Sequence, residues 1–174
     1  MHKNLSESQA LITEIRGIVR DEFRKSQAEI VVCPTALALA SAAKLVEGTD
    51  VQIGAQNIHE AIEGAFTGEW SAQMLSSISV THAIIGHSER RQYFNETSKQ
   101  CSLKIKSAVS EGITSLYCVG ETLEERESEK HFEVIEDQLN EGLEGITADE
   151  MSNVVIAYEP VWAIGTGKTA SSDQ

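Results

Sequence analysis

Two residues in this chain are placed to move a proton. Glu159 closes a short β-branched run, Val154-Val155-Ile156-Ala157-Tyr158, and is followed at once by Pro160 and then by the glycine-rich stretch Gly165-Thr166-Gly167. A carboxylate at the tip of a strand, with a loop behind it that can close over it, is the arrangement of a general base. His87 closes a second apolar run, Ala83-Ile84-Ile85-Gly86. A base and an acid, each at the carboxyl end of a strand, are the groups needed for proton transfer on a small molecule.

The elements that must carry these groups alternate. The pattern predicts a helix over 6–27, with Ser6 and Gln9 as a capping box and Leu11, Ile15, Ile18, Val19 and Phe23 as its apolar stripe. It predicts strands over 29–34, 50–55, 83–86, 113–119 and 154–158. Helices are expected over 35–47, near 70–77, over 98–111 with Gly112 as its cap, and from a capping box at Thr122 and Glu125 to about residue 143. Residues 88–91 can begin a helical turn directly after His87. Strands alternating with helices imply a parallel sheet, and nearly continuous apolar strands imply burial on both faces. Polar or glycine residues recur at strand ends, at Pro34, Gln56-Asn57, His87, Gly120-Glu121 and Glu159. That is the pattern of a (β/α)8 barrel. Five strands are counted where a barrel needs eight, so the reading is a single domain over 1–174, a partial barrel cut at both ends, with two unpaired edges.

Composition narrows the partners. With 27 acidic and 14 basic residues the net charge is −13, which argues against nucleic acid and anionic membranes. No run is long enough to span a membrane, the N-terminus carries no apolar leader segment, and a cytoplasmic location is expected. Cys33, Cys101 and Cys118 are odd in number, widely spaced and form no CxxC pair, so they suit buried reduced thiols better than disulfides or a zinc site. The acidic stretch 121–130 suits a solvated helix face.

Several motifs then resemble the triosephosphate isomerase family. Tyr158-Glu159-Pro160-Val161-Trp162-Ala163-Ile164-Gly165-Thr166-Gly167 is similar to its base-and-lid motif, and Ile85-Gly86-His87-Ser88-Glu89-Arg90-Arg91 to its histidine motif. Gly54-Ala55-Gln56-Asn57, Gly64-Ala65-Phe66-Thr67-Gly68-Glu69 and Cys118-Val119-Gly120-Glu121 resemble its third strand end, its dimer loop and its fifth strand end. The resemblance covers the whole chain. It implies a TIM barrel, a triose phosphate substrate interconverted between ketose and aldose through an enediol, no cofactor, no metal, and a homodimer. It also implies an Asn-x-Lys motif that would precede Met1, and phosphate-binding loops that would follow Gln174. No residue here stands in for that lysine, so the 174-residue chain alone is expected to be inactive.

The family assigns roles that the residues alone leave open. Glu159 becomes the base and His87 a neutral electrophile, an assignment taken from the family's mechanism. Glu89 becomes an orienting carboxylate, with a salt bridge to Arg90 or Arg91 as the plainer reading. Gly165 and Ser88 become substrate contacts. Pro160, Val161, Trp162, Lys168, Thr169 and Ala170 become lid hinges, and Thr67 reaches toward a partner subunit, the plainer reading being a solvated turn. Two other functions are kept: an inactive fragment that binds a partner or aggregates, and a nucleotide-binding P-loop at Gly165-Thr166-Gly167-Lys168-Thr169. The P-loop needs glycine where Trp162 stands.

Overall fold

The computed structural model describes residues 1–23 and 28–164. Five strands, β1 (Ile30–Val32), β2 (Val51–Ala55), β3 (His82–Ile85), β4 (Thr114–Val119) and β5 (Val154–Tyr158), form one parallel sheet in chain order. Helices α1 (Leu5–Ile18), α2 (Leu39–Val46), α3 (Ala72–Ser76), α4 (Ser88–Phe94), α5 (Ser98–Ser110), α6 (Leu123–Glu127) and α7 (His131–Gly142) make the connections. The expected partial barrel of five parallel strands is what forms.

Register decides which side chains meet the helices. Ala83 lies opposite Ser115 and Ile85 opposite Tyr117, so these share one face with Val51, Ile53 and Ala55 of β2. All are buried, packed with Ile105 and Ala108 of α5 and with Ile113. The other face, with Gln52, Ile84, Leu116 and Cys118, is mostly half-buried, and Val155 on β5 is 50% exposed. Burial on both faces was the expectation. One covered face is the finding, because five strands do not curl far enough to bury their second face against each other.

Two helices depart from the sequence reading. α1 is capped by Asn4, whose side chain accepts the Glu7 N–H at 3.0 Å while the Glu7 carboxylate accepts the Asn4 N–H at 2.8 Å. Ser6 instead donates its hydroxyl to Asn4 Oδ1. The buried stripe is Ser8, Ile12 and Val19 with Ile15, the side that packs on α2, whereas Leu11 and Ile18 are exposed. Val19–Phe23 continues as a π-helical turn. The helix expected from residue 123 to 143 is broken into α6 and α7. The Ser128 hydroxyl bonds back to the carbonyls of Glu124 and Glu125, and Glu129 takes φ +59°, a left-handed residue that ends a helix.

Candidate active site

β3 ends by delivering His87 to the N-cap of α4. Gly86, at φ +76°, makes the corner. The His87 carbonyl accepts the N–H groups of Arg90 and Arg91 at 2.8 and 3.1 Å, and His87 Nδ1 accepts the Glu89 N–H at 3.3 Å. An N–H donor at Nδ1 requires a lone pair there. The neutral ring then carries its proton on Nε2. That atom lies 3.9 Å from Oε2 of Glu159. β5 holds Glu159 through its own N–H, bonded to Val119 O at 2.9 Å. A gap of about 20 Å³ lies at this strand end, lined by Ser88, Gly86, Cys118, Gly120 and Glu159. Cavities of about 510 and 480 Å³ lie elsewhere, against α1 and between α2 and α3, away from both groups.

The Glu89 carboxylate lies 3.9 Å from His87 Nδ1 and is 68% exposed. Its backbone N–H touches the ring more closely than its carboxylate does. Arg90 bonds Glu96, and Arg91 bonds the Gly86 carbonyl, Ser98, Tyr117 and the Cys118 carbonyl. Pro160, Val161 and Trp162 follow the base in a 3-10 turn, with the Val161 N–H on the Glu121 carbonyl at 3.0 Å. Thr67 stands in an exposed turn between Gly64 and Gly68, near the exposed Ile62 and Phe66. Gly165, Lys168, Thr169 and Ala170, and with them the P-loop reading, lie outside the described residues.

Sequence reasoning missed the groups that hold this site from beneath. Glu96, 3% exposed at its side chain, accepts from Gly86 N (2.9 Å), Arg90 Nε (2.6 Å) and Lys104 Nζ (2.7 Å). Lys104 also donates to Asn57 Oδ1 at 2.9 Å. Burial alone raises the Glu96 pKa, but the hydrogen bonds from Lys104 and Arg90 outweigh it and hold the carboxyl below its ordinary range. Lys104 is therefore committed to Glu96 and Asn57. Its signal was available: it sits among Cys101, Ile105 and Ala108 on the buried stripe of α5. Glu121, fully buried, accepts from Trp162 Nε1 at 2.9 Å and from the Tyr158 hydroxyl at 3.1 Å, with Arg126 at 3.5 Å.

A parallel α/β half-barrel with an imidazole and a carboxylate together at its strand ends has the architecture of the TIM-barrel class. The family profile described as Triosephosphate isomerase matches residues 1–174. A triosephosphate isomerase of Clostridium perfringens is 48% identical over 174 residues, which are all of this chain and 68% of that protein. One from Pelodictyon phaeoclathratiforme is 50% identical over 174 residues, again 68% of its length. The crystal structure of triosephosphate isomerase from Bartonella henselae superposes with a TM-score of 0.83 at 37% identity, over 93% of this chain and 65% of that one. The chain belongs to the triosephosphate isomerase family, and it spans about two thirds of the length of these relatives.

Proposed function

We propose that this chain carries the proton-transfer pair of a triose-phosphate isomerase. Glu159 takes a proton from the carbon next to the carbonyl of dihydroxyacetone phosphate. His87 Nε2–H donates to the oxygen on which charge develops, and the enediolate receives a proton on the neighbouring carbon to give glyceraldehyde 3-phosphate. No oxidant or cofactor enters, since one proton leaves one carbon and one arrives at the next. The observation that carries this reading is the Nε2-to-Oε2 approach of 3.9 Å between His87 and Glu159, with His87 Nδ1 turned to the Glu89 N–H. Ser88 and Gly165 are the substrate contacts. Pro160, Val161 and Trp162 form one lid hinge, and Lys168, Thr169 and Ala170 the other. Thr67, beside the exposed Phe66 and Ile62, belongs to a contact between two copies in a cytoplasmic homodimer.

On this reading the 174-residue chain turns over no triose phosphate alone, since it spans 68% of its Clostridium perfringens relative and holds no Asn-x-Lys sequence. Loss of one preorganised charge-stabilising group typically costs on the order of 10²–10³ in rate. A coupled isomerisation assay tests this on the chain and on a complete barrel, in which the flanking segments of the Clostridium perfringens relative are joined to it. Activity is expected only in the complete barrel, and Glu159→Gln should abolish it. Turnover by the short chain, or full activity of E159Q, would overturn the assignment. Among the described residues no helix is long and apolar enough to cross a membrane.

A further inference from the structure

Gly120 lies between β4 and the buried Glu121, directly against the backbone of the base. A Cβ built there would fall 1.9 Å from the Glu159 carbonyl oxygen and 3.0 Å from its carbon. The obstacle is backbone, so no side chain fits unless Glu159 moves. The carbonyls on either side of Gly120 face β5: Val119 O accepts the Glu159 N–H at 2.9 Å, and Glu121 O accepts the Val161 N–H at 3.0 Å. Successive residues of a strand turn their peptide groups to opposite sides. The N–H and C=O of Gly120 therefore face the β3 side. Among the described residues no strand meets them there. The β3–β4 register ends at Ile85 opposite Tyr117, and Gly86 turns the chain away toward α4.

A side chain of α7 takes the place of the missing strand. Gln138 Oε1 accepts the Gly120 N–H at 2.9 Å, and Gln138 Nε2 donates to the Gly120 carbonyl at 3.0 Å. A primary amide offers the same donor and acceptor as a peptide unit, so the pair closes as a ladder step does. Gln138 is itself fixed, because its backbone carbonyl accepts the hydroxyl of the fully buried Tyr117 at 2.5 Å.

We infer that Gln138 is a positioning residue for Glu159: by holding the Gly120 peptide it sets the height at which the carboxylate faces His87. The effect on rate rests on the isomerase reading above, whereas the effect on the backbone does not. Displacing a reacting group by about 1 Å can cost on the order of 10² in rate.

Gln138→Met keeps the length and packing of the side chain and removes both hydrogen bonds. Gln138→Ala removes packing as well. Amide exchange in the 174-residue chain is expected to quicken at least tenfold at Gly120 and at Glu159 in Q138M. In the complete barrel, kcat should fall by about 10² in both variants with KM within twofold. A residue that merely packs would give a Q138M enzyme with the parent's rate and only a Q138A enzyme that is impaired, and that result overturns the inference. So does unchanged exchange at Glu159 in Q138M. Gly120→Ala, which leaves Gln138 in place, should give the same kcat loss by lifting the Glu159 carbonyl. If the complete parent barrel shows no isomerisation, the functional reading fails while amide exchange still decides the role of Gln138.

Discussion

Replacing Glu96 by alanine should be among the costliest single changes in this chain. Its carboxylate is nearly sealed from water and accepts four hydrogen bonds, from Gly86, Arg90, Lys104 and, more weakly, the Cys101 thiol. Removing it leaves the Lys104 ammonium, 6% exposed, with Asn57 Oδ1 as its remaining acceptor. Breaking a buried ion pair from one side costs about 3–5 kcal/mol, because a desolvated charge is left uncompensated. At roughly 2–4 °C per kcal/mol for a domain of this size, E96A should melt about 6–20 °C lower. Thermal unfolding followed by far-ultraviolet circular dichroism reads the shift. The double variant E96L/K104M removes both charges and should recover most of the loss, since apolar replacement of a buried pair is often neutral or better. A second consequence concerns pH. The folded-state pKa of Glu96 lies below its unfolded value, so its contribution is complete above the ordinary carboxylate range and is lost as pH falls through the folded value. E96Q should lack that acid-side loss. An E96A chain within 1 kcal/mol of the parent, or a double variant worse than E96A, would refute the reasoning.

Three further outcomes are expected. Burial pushes the thiols of Cys33, Cys101 and Cys118 up to about 11, 12 and 11. Disulfide reagents at pH 8 should label the folded chain far more slowly than the urea-unfolded chain, and one thiol reacting at the free-cysteine rate contradicts this. His82, 4% exposed, is held below the ordinary imidazole range by burial, with Glu29 pulling weakly the other way. As pH falls below about 6.5 the unfolded chain takes up this proton first, so stability declines from there to the folded value. His82→Gln should flatten that stretch of a urea-midpoint-versus-pH curve. Finally, Glu121→Ala removes an acceptor from Trp162 Nε1 and from the Tyr158 hydroxyl. It should cost about 1–3 kcal/mol in urea unfolding and shift the indole N–H resonance of Trp162, and an unmoved resonance would contradict the contact.

What could be read from the chain followed from period and punctuation. The run from Val154 to Tyr158 was legible to the residue because it is β-branched, then stopped by Pro160. His87 was legible as a strand end because Gly86 precedes it and a capping turn follows. The break between α6 and α7 was hidden, because nothing in Ser128-Glu129-Lys130 forbids a helix: the left-handed Glu129 answers to tertiary packing rather than to local propensity. The first helix misled for a related reason. Two apolar stripes overlap in it, and only the neighbouring α2 decides which is covered. Around the site, Glu159 and His87 stood out by position, while Lys104 and Gln138 did not, since each works through a partner remote in sequence, and Glu96 did not because its partners sit on separate turns and strand ends that only the fold brings together. Gln138 contacts Gly120 across 18 positions and Lys104 contacts Asn57 across 47. Such pairings are invisible until the strands are in register.

The order of the sheet matters also for how the chain comes to be folded. Every strand hydrogen-bonds the strand that precedes it in sequence, so no pairing waits for a distant segment to be made. Each strand–helix unit can dock on the growing edge as it leaves the ribosome, and contacts of short sequence separation assemble quickly. The two halves of the site are affected unequally. His87 is anchored once β4 arrives, since Arg91 bonds the Cys118 carbonyl, whereas Glu159 directly follows β5 and waits for that strand to pair with β4. The base is then the later of the two groups to be placed.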